Sequence, residues 1–385
     1  MTFDTDVLVV GGGILGCCVA YFLAQEGVDV LVIDRHDVNY QASGSNAGSL
    51  HVQMESARAK RTDPVYVAAI DRSLAVFAEG VKAWQRLAPT LDRDVELRVG
   101  GGLMLAETET ELRFLEAKTK RERAQGLAVD VITAAEVRAI APYLSERVIG
   151  AAYCPQEGKI NPGIATPSLV RSAERLGARF RRQCELLALS PETGGFTATT
   201  RQGTIRCHRV VNAAGSWANA VADMVGIHLP TSRRPLHMNV TEATAPLVGH
   251  LIQHASRRLT AKQAEAGNVI IGGAWPASLH AITGEPAVLR ATTESNLWVA
   301  QQLIPALGHL RLMRTWTAFN ITMNDANPIL GEVPRVPGFF MAVPANSGYT
   351  NGPIYGQLVA EAVRGKDPSF DISGFSIERF PERPS

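Results

Sequence analysis

Residues 7–34 read VLVVGGGILGCCVAYFLAQEGVDVLVID. Val7–Val10 is a short, wholly apolar run, the pattern of a strand buried on both faces of a parallel sheet. Gly11, Gly13 and Gly16 then form G-x-G-x-x-G. Gly11 permits a tight turn, Gly13 lets backbone approach a pyrophosphate, and Gly16 lets the following helix press against the strand. Ile14 and Leu15 open that helix, whose first N–H groups present partial positive charge to a pyrophosphate. Val28–Ile33 is the second strand, and Asp34 ends it, eighteen residues after Gly16. A carboxylate there suits hydrogen bonding to an adenosine ribose and repels a 2′-phosphate, which disfavours NADP. Strand, glycine turn, helix, strand and acid in one unit specify a dinucleotide-binding α/β fold, with NAD and FAD both open at this stage.

A chain of 385 residues has room for two domains and a sizeable core. Apolar content of 46% and charged content of 19% are those of a globular protein. The net charge of +1 gives no reason to expect a nucleic-acid or anionic-membrane partner. No apolar stretch is long enough for a signal peptide or a membrane span, and a cytoplasmic location is expected. The five cysteines (Cys17, Cys18, Cys154, Cys184 and Cys207) are scattered without a C-x-x-C pair. That pattern fits a reducing compartment and argues against a metal or iron–sulfur site held by this chain alone. Cys17 and Cys18 read as core residues of the first helix.

Beyond Asp34 and Arg35 lies the loop QASGSNAGSLHVQ, residues 41–53. It follows the ribose-binding strand, and ligands of open α/β sheets lie beyond the carboxyl ends of the strands, so Ser43, Gly44, Ser45, Asn46, Ala47, Gly48 and Ser49 should run beside the cofactor. Residues 64–87 read as one amphipathic helix and Gly100–Ala106 as a turn and strand. Residues 109–125, with Glu and Lys/Arg at helical spacing, read as a solvated helix. The GKINP segment, 158–162, precedes a further helix, and strands follow over 178–189, 196–201 and 204–211. VVNAAGSWAN, 210–219, is a buried strand running into small residues, where backbone can pass close to a cofactor. Residues 226–317 are strand-rich. No linker separates two halves, so the two domains are expected to interleave.

The C-terminal part has a second marker. PILGE, 328–332, and the strand Phe339–Val343 lead into PANSGYTNGPIYGQLVAEAVRG, 344–365. Asn351 can cap a helix, Pro353 suits its first turn, and Gly365 ends it. A glycine-rich turn thus feeds a helix N-terminus directly after a sheet strand. Its partial positive charge would stabilise the N1/O2 end of a reduced flavin, a device an NAD enzyme does not need.

Taken in order, the glycine fingerprint, ASGSNAGSLHVQ, GKINP, VVNAAGSWA, Trp316 with PILGE, and NSGYTNGP resemble the D-amino-acid oxidase family of FAD-dependent amine oxidoreductases along nearly the whole chain. The resemblance implies an FAD-binding Rossmann-like domain (1–82, 150–219 and 322–385) interleaved with a mixed antiparallel-sheet substrate domain (83–149 and 220–321). Carried onto this chain, it adds Leu186, Ala214, Gly215, Trp217, Gly331, Gly348, Tyr349, Thr350 and Asn351 to the FAD-binding residues. NAGSLHVQ and WTAFN…PILGE…GYTNGP look most like the flavin-carrying subunits of bacterial opine and D-hydroxyproline dehydrogenases. Those work with a larger subunit and a small [2Fe–2S] subunit, an assembly compatible with a second flavin at a subunit interface.

Two departures matter. Glycine- and sarcosine-oxidising relatives commonly place an arginine four residues after the tryptophan of the Trp316 element, where this chain has Asn320. Asparagine cannot reproduce the bidentate fork of arginine on a carboxylate, and Arg314, Arg58 and Arg61 are the substitutes the sequence offers. No cysteine lies beyond Cys207, so the FAD is expected to be non-covalent. The implied reaction is oxidation of a Cα–N bond by hydride transfer to flavin N5, with the amine made neutral by desolvation and no dedicated general base required. His51, Glu55, Asn320 and Tyr349 are the expected substrate neighbours. A free-standing glycine, sarcosine or D-amino-acid oxidase using oxygen, and a flavin-bearing relay subunit whose substrate site lies on a partner, are the alternatives.

Overall fold

The computed structural model describes residues 3–380. Two eight-stranded sheets dominate it. The first is built on β1 (Thr5–Val10) and β2 (Val30–Ile33), paired in parallel with Val7 opposite Val30 and Val10 opposite Ile33. All four residues of β2 are buried, as the unbroken apolar run requires. Helix α1 (Ile14–Gln25) joins the two strands. It is apolar on every side and buried along nearly its whole length, because it is covered by α4 (Pro162–Arg175) and α5 (Gly352–Val363) as well as by the sheet. Cys17 and Cys18 lie in that contact, fully buried, and burial pushes both thiols up.

On the other flank, β1 pairs in parallel with β3 (Gly203–Asn212), and β3 pairs in parallel with β6 (Phe339–Val343). Gly11 and Gly16 show why glycine is needed where the turn leaves β1. Gly11 has φ +115°, and an added Cβ would lie 2.4 Å from Ala213 O; at Gly16 it would lie 1.9 Å from Gly11 O. The end of the first strand, the start of the helix and the end of β3 are thereby packed backbone to backbone.

The second sheet carries β4 (Thr231–Ala243) and β5 (Leu312–Met323), a long antiparallel pair at its edge. The chain passes from the first sheet to the second and back twice, as interleaved domains require. Gly150–Cys154 is hydrogen-bonded between two strands of the second sheet, Gly102–Ala106 and Asp130–Thr133. The expected boundary at residue 150 therefore falls ahead of a strand of the second sheet, and that at 321 falls inside β5. Small residues explain the placement: an added Cβ at Gly150 would lie 2.8 Å from Leu112 Cδ1 on the helix packed above.

Helix α2 (Pro64–Leu87) starts as its sequence indicates, with Asp63 accepting from Tyr66 N at 2.8 Å and Pro64 in the first turn. Helix α3 (Glu109–Ala124) departs from the solvated helix its charges suggest. Leu115, Lys118, Thr119 and Glu122 are buried. Lys118 Nζ and Glu122 Oε1 pair at 2.7 Å, and Glu122 accepts from Met54 N at 2.6 Å. Charges at i and i+4 satisfy each other and so tolerate burial, which spacing alone does not distinguish from a solvated pair. Among the described residues, no helix is long and apolar enough to cross a membrane.

Candidate active site

One cavity of about 1160 Å³ runs between the two sheets. At one end its wall is the glycine turn, Asp34, Arg35, Ala214, Gly215, Trp217 and Leu186. Asp34 is held by two backbone donors, Gly12 N to Oδ2 and His36 N to Oδ1, both at 2.7 Å. The carboxylate therefore sits rigidly at the carboxyl end of β2. Ile14 N donates to Ser43 Oγ at 2.9 Å, which ties the polar loop to the helix start. The N–H groups of Gly13 and Leu15, both on the cavity wall, donate to no other group among the described residues. Free donors at a glycine turn and a carboxylate one strand away fit the pyrophosphate and ribose of a dinucleotide. The Arg35 guanidinium lies 3.9 Å from the centroid of Trp217 and closes this end.

The middle of the wall is the polar loop. Ser43, Ser45, Asn46, Ala47 and Ser49 face the cavity. The loop is not loose. Asn46 Nδ2 donates to Ala42 O, Asn46 Oδ1 accepts from Gly48 N at 2.7 Å, and Trp316 Nε1 donates to Ser45 O at 2.7 Å. Ser49–Leu50 pairs with Gly158–Lys159 of the GKINP segment. Gly44, Gly48 and Gly16 stand behind the wall, not on it. At Gly48 an added Cβ would meet Ile160 O at 2.1 Å and Lys262 Nζ at 2.9 Å.

The far end joins the loop 344–350 to the entry of α5. Gly348, Tyr349 and Thr350 line the cavity, and their N–H groups donate to no other group among the described residues. Two consecutive non-glycine residues, Asn346 at φ +73° and Ser347 at φ +48°, turn the chain into this position. Backbone in that region is uncommon for side-chain-bearing residues and is retained where surroundings enforce it. Asn346 is enforced on both sides: its Nδ2 donates to Glu55 Oε2 and its Oδ1 accepts from Asn320 Nδ2, each at 3.1 Å. Asn351 precedes the helix but does not cap it with its side chain, which donates to Tyr355 Oη at 3.2 Å.

His51, Glu55 and Asn320 all line the cavity, and Asn346 bridges Glu55 to Asn320. Tyr349 is different. Its ring stacks on Trp84 at 5.5 Å and its hydroxyl pairs with Thr166 Oγ1 at 3.0 Å, pointing into the protein. Packing against α2 and α4 turns the phenol away, so only the main-chain part of Tyr349 faces the ligand space. Gly331 also stands off the wall; its nearest neighbour for an added Cβ is Ile372 Cδ1. Of the arginines the sequence offered, Arg58 and Arg61 line the cavity and Arg314 does not. Arg58 donates to Ala345 O at 2.9 Å and lies 3.6 Å from Glu55, so it braces the loop.

Sequence reasoning missed Glu157, which directly precedes GKINP. It is fully buried and accepts from Val52 N, Gln53 N and Gln53 Nε2 at 2.8–3.2 Å, with His51 Nδ1 at 3.8 Å. Burial pushes this carboxyl up, but the neighbouring His51 and the two backbone donors outweigh burial, and it is held below the usual range. With Glu122 on Met54 N, two carboxylates clamp the strap that carries His51 and Glu55. The signal was its place one residue before GKINP; the partners, about a hundred residues away, were not visible.

Residues 6–362 match the DAO family, described as FAD dependent oxidoreductase. The chain is 29% identical to the B subunit of opine oxidase from Rhizobium meliloti, with 98% of each chain covered. It is 27% identical to a glycine oxidase of Geobacillus kaustophilus, again over 98% of each. The crystal structure of glycine oxidase from Geobacillus kaustophilus superimposes with a TM-score of 0.87 at 24% identity, covering 99% of this chain and all of that one. L-Proline dehydrogenase from P. horikoshii superimposes at 0.85 and 22% identity, covering 98% and 99%. The glycine turn with its free donors, the fixed Asp34 and the match along nearly the whole length agree: the chain belongs to the DAO family of FAD-dependent oxidoreductases.

Proposed function

We propose that this chain binds FAD without a covalent bond and oxidises the Cα–N bond of a secondary or D-amino acid, opine-like or D-hydroxyproline-like, as the catalytic subunit of a heteromeric dehydrogenase. The observation that carries the reading is the continuity of the cavity. The same space that begins at the glycine turn and Asp34 is also lined by His51, Glu55 and Asn320, so cofactor and substrate would share one chamber on one chain. That favours a catalytic role over a relay role.

The bound flavin would supply hydride acceptance at N5. Gly13, Leu15 and Asp34 would hold the adenosine diphosphate half, and the free N–H groups of Gly348–Thr350 would face the pyrimidine end. At the substrate end, Met54, Ile70, Leu74, Leu236, Met238 and Ala318 give the wall an apolar face. An amine entering there loses water, which disfavours its charged form and frees the lone pair. The polar groups of Glu55, Asn346 and Asn320 orient the substrate beside that face. All five cysteines are buried, and the wall includes only Cys184, at the adenosine end beside Leu186. This supports non-covalent binding.

The heteromeric role rests on similarity to the B subunit of opine oxidase and, at 23% identity, to the beta subunit of sarcosine oxidase from Arthrobacter sp. A larger subunit and a small [2Fe–2S] subunit would take the electrons onward. Co-purification of a tagged chain from its native host, followed by turnover with oxygen and then with an artificial electron acceptor, tests this. Turnover with the acceptor by a complex holding two further subunits is expected. Rapid peroxide formation by the chain alone would replace this reading with the free-standing oxidase.

A further inference from the structure

The position at which the resemblance places a carboxylate-binding arginine holds Asn320, and a guanidinium stands directly across the strand ladder from it. We propose that Arg234 is the residue that anchors the substrate carboxylate; the proposal rests on the amino-acid reading given above. β4 and β5 run antiparallel with Arg234 directly opposite Asn320 and Leu236 directly opposite Ala318. Directly opposed residues share a face, with Cβ atoms about 4.5–5.5 Å apart. All four stand on the cavity wall. Arg234 thus stands one strand across the ladder from position 320, at the same level of the cavity. Asn320 offers no guanidinium fork for a carboxylate, and its Nδ2 already donates one bond to Asn346 Oδ1.

The other cations on the wall have occupations. Arg58 braces Ala345 O and Glu55, Arg257 pairs with Glu107 at 2.7 Å, Arg61 lies over Tyr66 at 4.2 Å, and Lys60 over Phe114 at 5.1 Å. Arg35 is stacked at the adenosine end. The Arg234 and Arg258 side chains alone have no partner among the described wall residues. Arg258 sits on the loop after Leu251–His254, whereas Arg234 is fixed on a strand. A carboxylate forked by Arg234 would place its neighbouring amine over Leu236, Met238 and Ala318, the apolar face that favours the neutral amine.

The test uses the FAD-loaded enzyme and 2-furoate, with 2-furamide as the uncharged control, and reads perturbation of the bound flavin's visible spectrum. Wild type should bind furoate. Arg234→Gln should weaken it at least tenfold with FAD content and furamide response unchanged, and Arg234→Lys should weaken it less. Adding Asn320→Arg to Arg234→Gln should restore part of the loss. Unchanged furoate affinity in Arg234→Gln, or the loss appearing in Arg258→Gln instead, overturns the assignment of the anchor alone. No furoate binding by the wild type overturns the anchor and the amino-acid reading together.

Discussion

Asp34 connects the first strand pair to the ligand space through two fixed backbone donors, so its loss acts twice. Asp34→Ala removes the acceptor for Gly12 N and His36 N and the one proposed to face the ribose. Hydrogen bonds to charged groups contribute about 1.5–3 kcal/mol each, so FAD should bind at least tenfold more weakly. Recovery of free-flavin fluorescence on dilution measures this, and full retention of FAD would show that the carboxylate does not hold the cofactor. Glu55 is the carboxylate at the other end. Glu55→Gln keeps the bond to Asn346 but removes the charge, so a substrate with a basic side chain should lose affinity relative to a neutral one. An unchanged ratio of kcat/KM values between such substrates would remove Glu55 from recognition. At this scale the sequence was informative about the positions of Gly11 and Asp34, because both lie within one strand–turn–helix–strand unit. It was silent where the partner is distant: the Tyr349 hydroxyl turned to Thr166, and Glu157 under His51.

Elements show which constraints travel. The contact of β1, α1 and β3 leaves no room at Gly11, where a methyl group would press on Ala213 O from a left-handed backbone. Gly11→Ala should destabilise the fold by about 2–4 kcal/mol and lower Tm, since overpacking and a forbidden φ combine. A Tm within a degree of wild type would mean the turn relaxes freely. Helix α3 makes the opposite point. Its Glu and Lys spacing was legible, but not that one such pair is buried under the strap 52–54. Lys118→Met strands Glu122, whose carboxyl is already pushed up by burial, and should cost about 3–5 kcal/mol. Lys118→Met with Glu122→Gln should recover much of that in a denaturant melt, because Gln still accepts from Met54 N. Equal losses in single and double variants would rule out the unpaired charge as the cause. The α5 entry was read correctly in position, with Gly365 ending the helix at φ +70°. The mode of capping was not, because the Tyr355 hydroxyl competes for the Asn351 side chain.

Over the whole molecule, the interleaving of two sheets followed from the absence of a linker, whereas the ownership of Gly150–Cys154 depended on strand pairing that small residues do not announce. Three imidazoles in or beside the second sheet, His237 and His254 buried and His250 half-buried, are all pulled down by loss of solvent, His254 to about 4. His254 Nδ1 accepts from Ser256 N and Arg257 N, which requires the neutral ring. Between about pH 4 and the ordinary histidine value near 6.5, the unfolded chain therefore binds more protons than the folded one, and stability falls as pH falls through that window. Melting at pH 7.5 and 5 should show the loss, and His254→Asn should reduce it; an equal pH dependence in that variant would assign the loss to other groups. The central claim is that one chamber on this chain holds both FAD and an amine substrate. An anaerobic visible spectrum of the purified chain tests it most directly, with octopine, nopaline, D-hydroxyproline, D-proline, sarcosine and glycine added one at a time. Bleaching of the bound flavin by a member of the set is the predicted result, and a purified chain that carries no flavin and takes none up would contradict it.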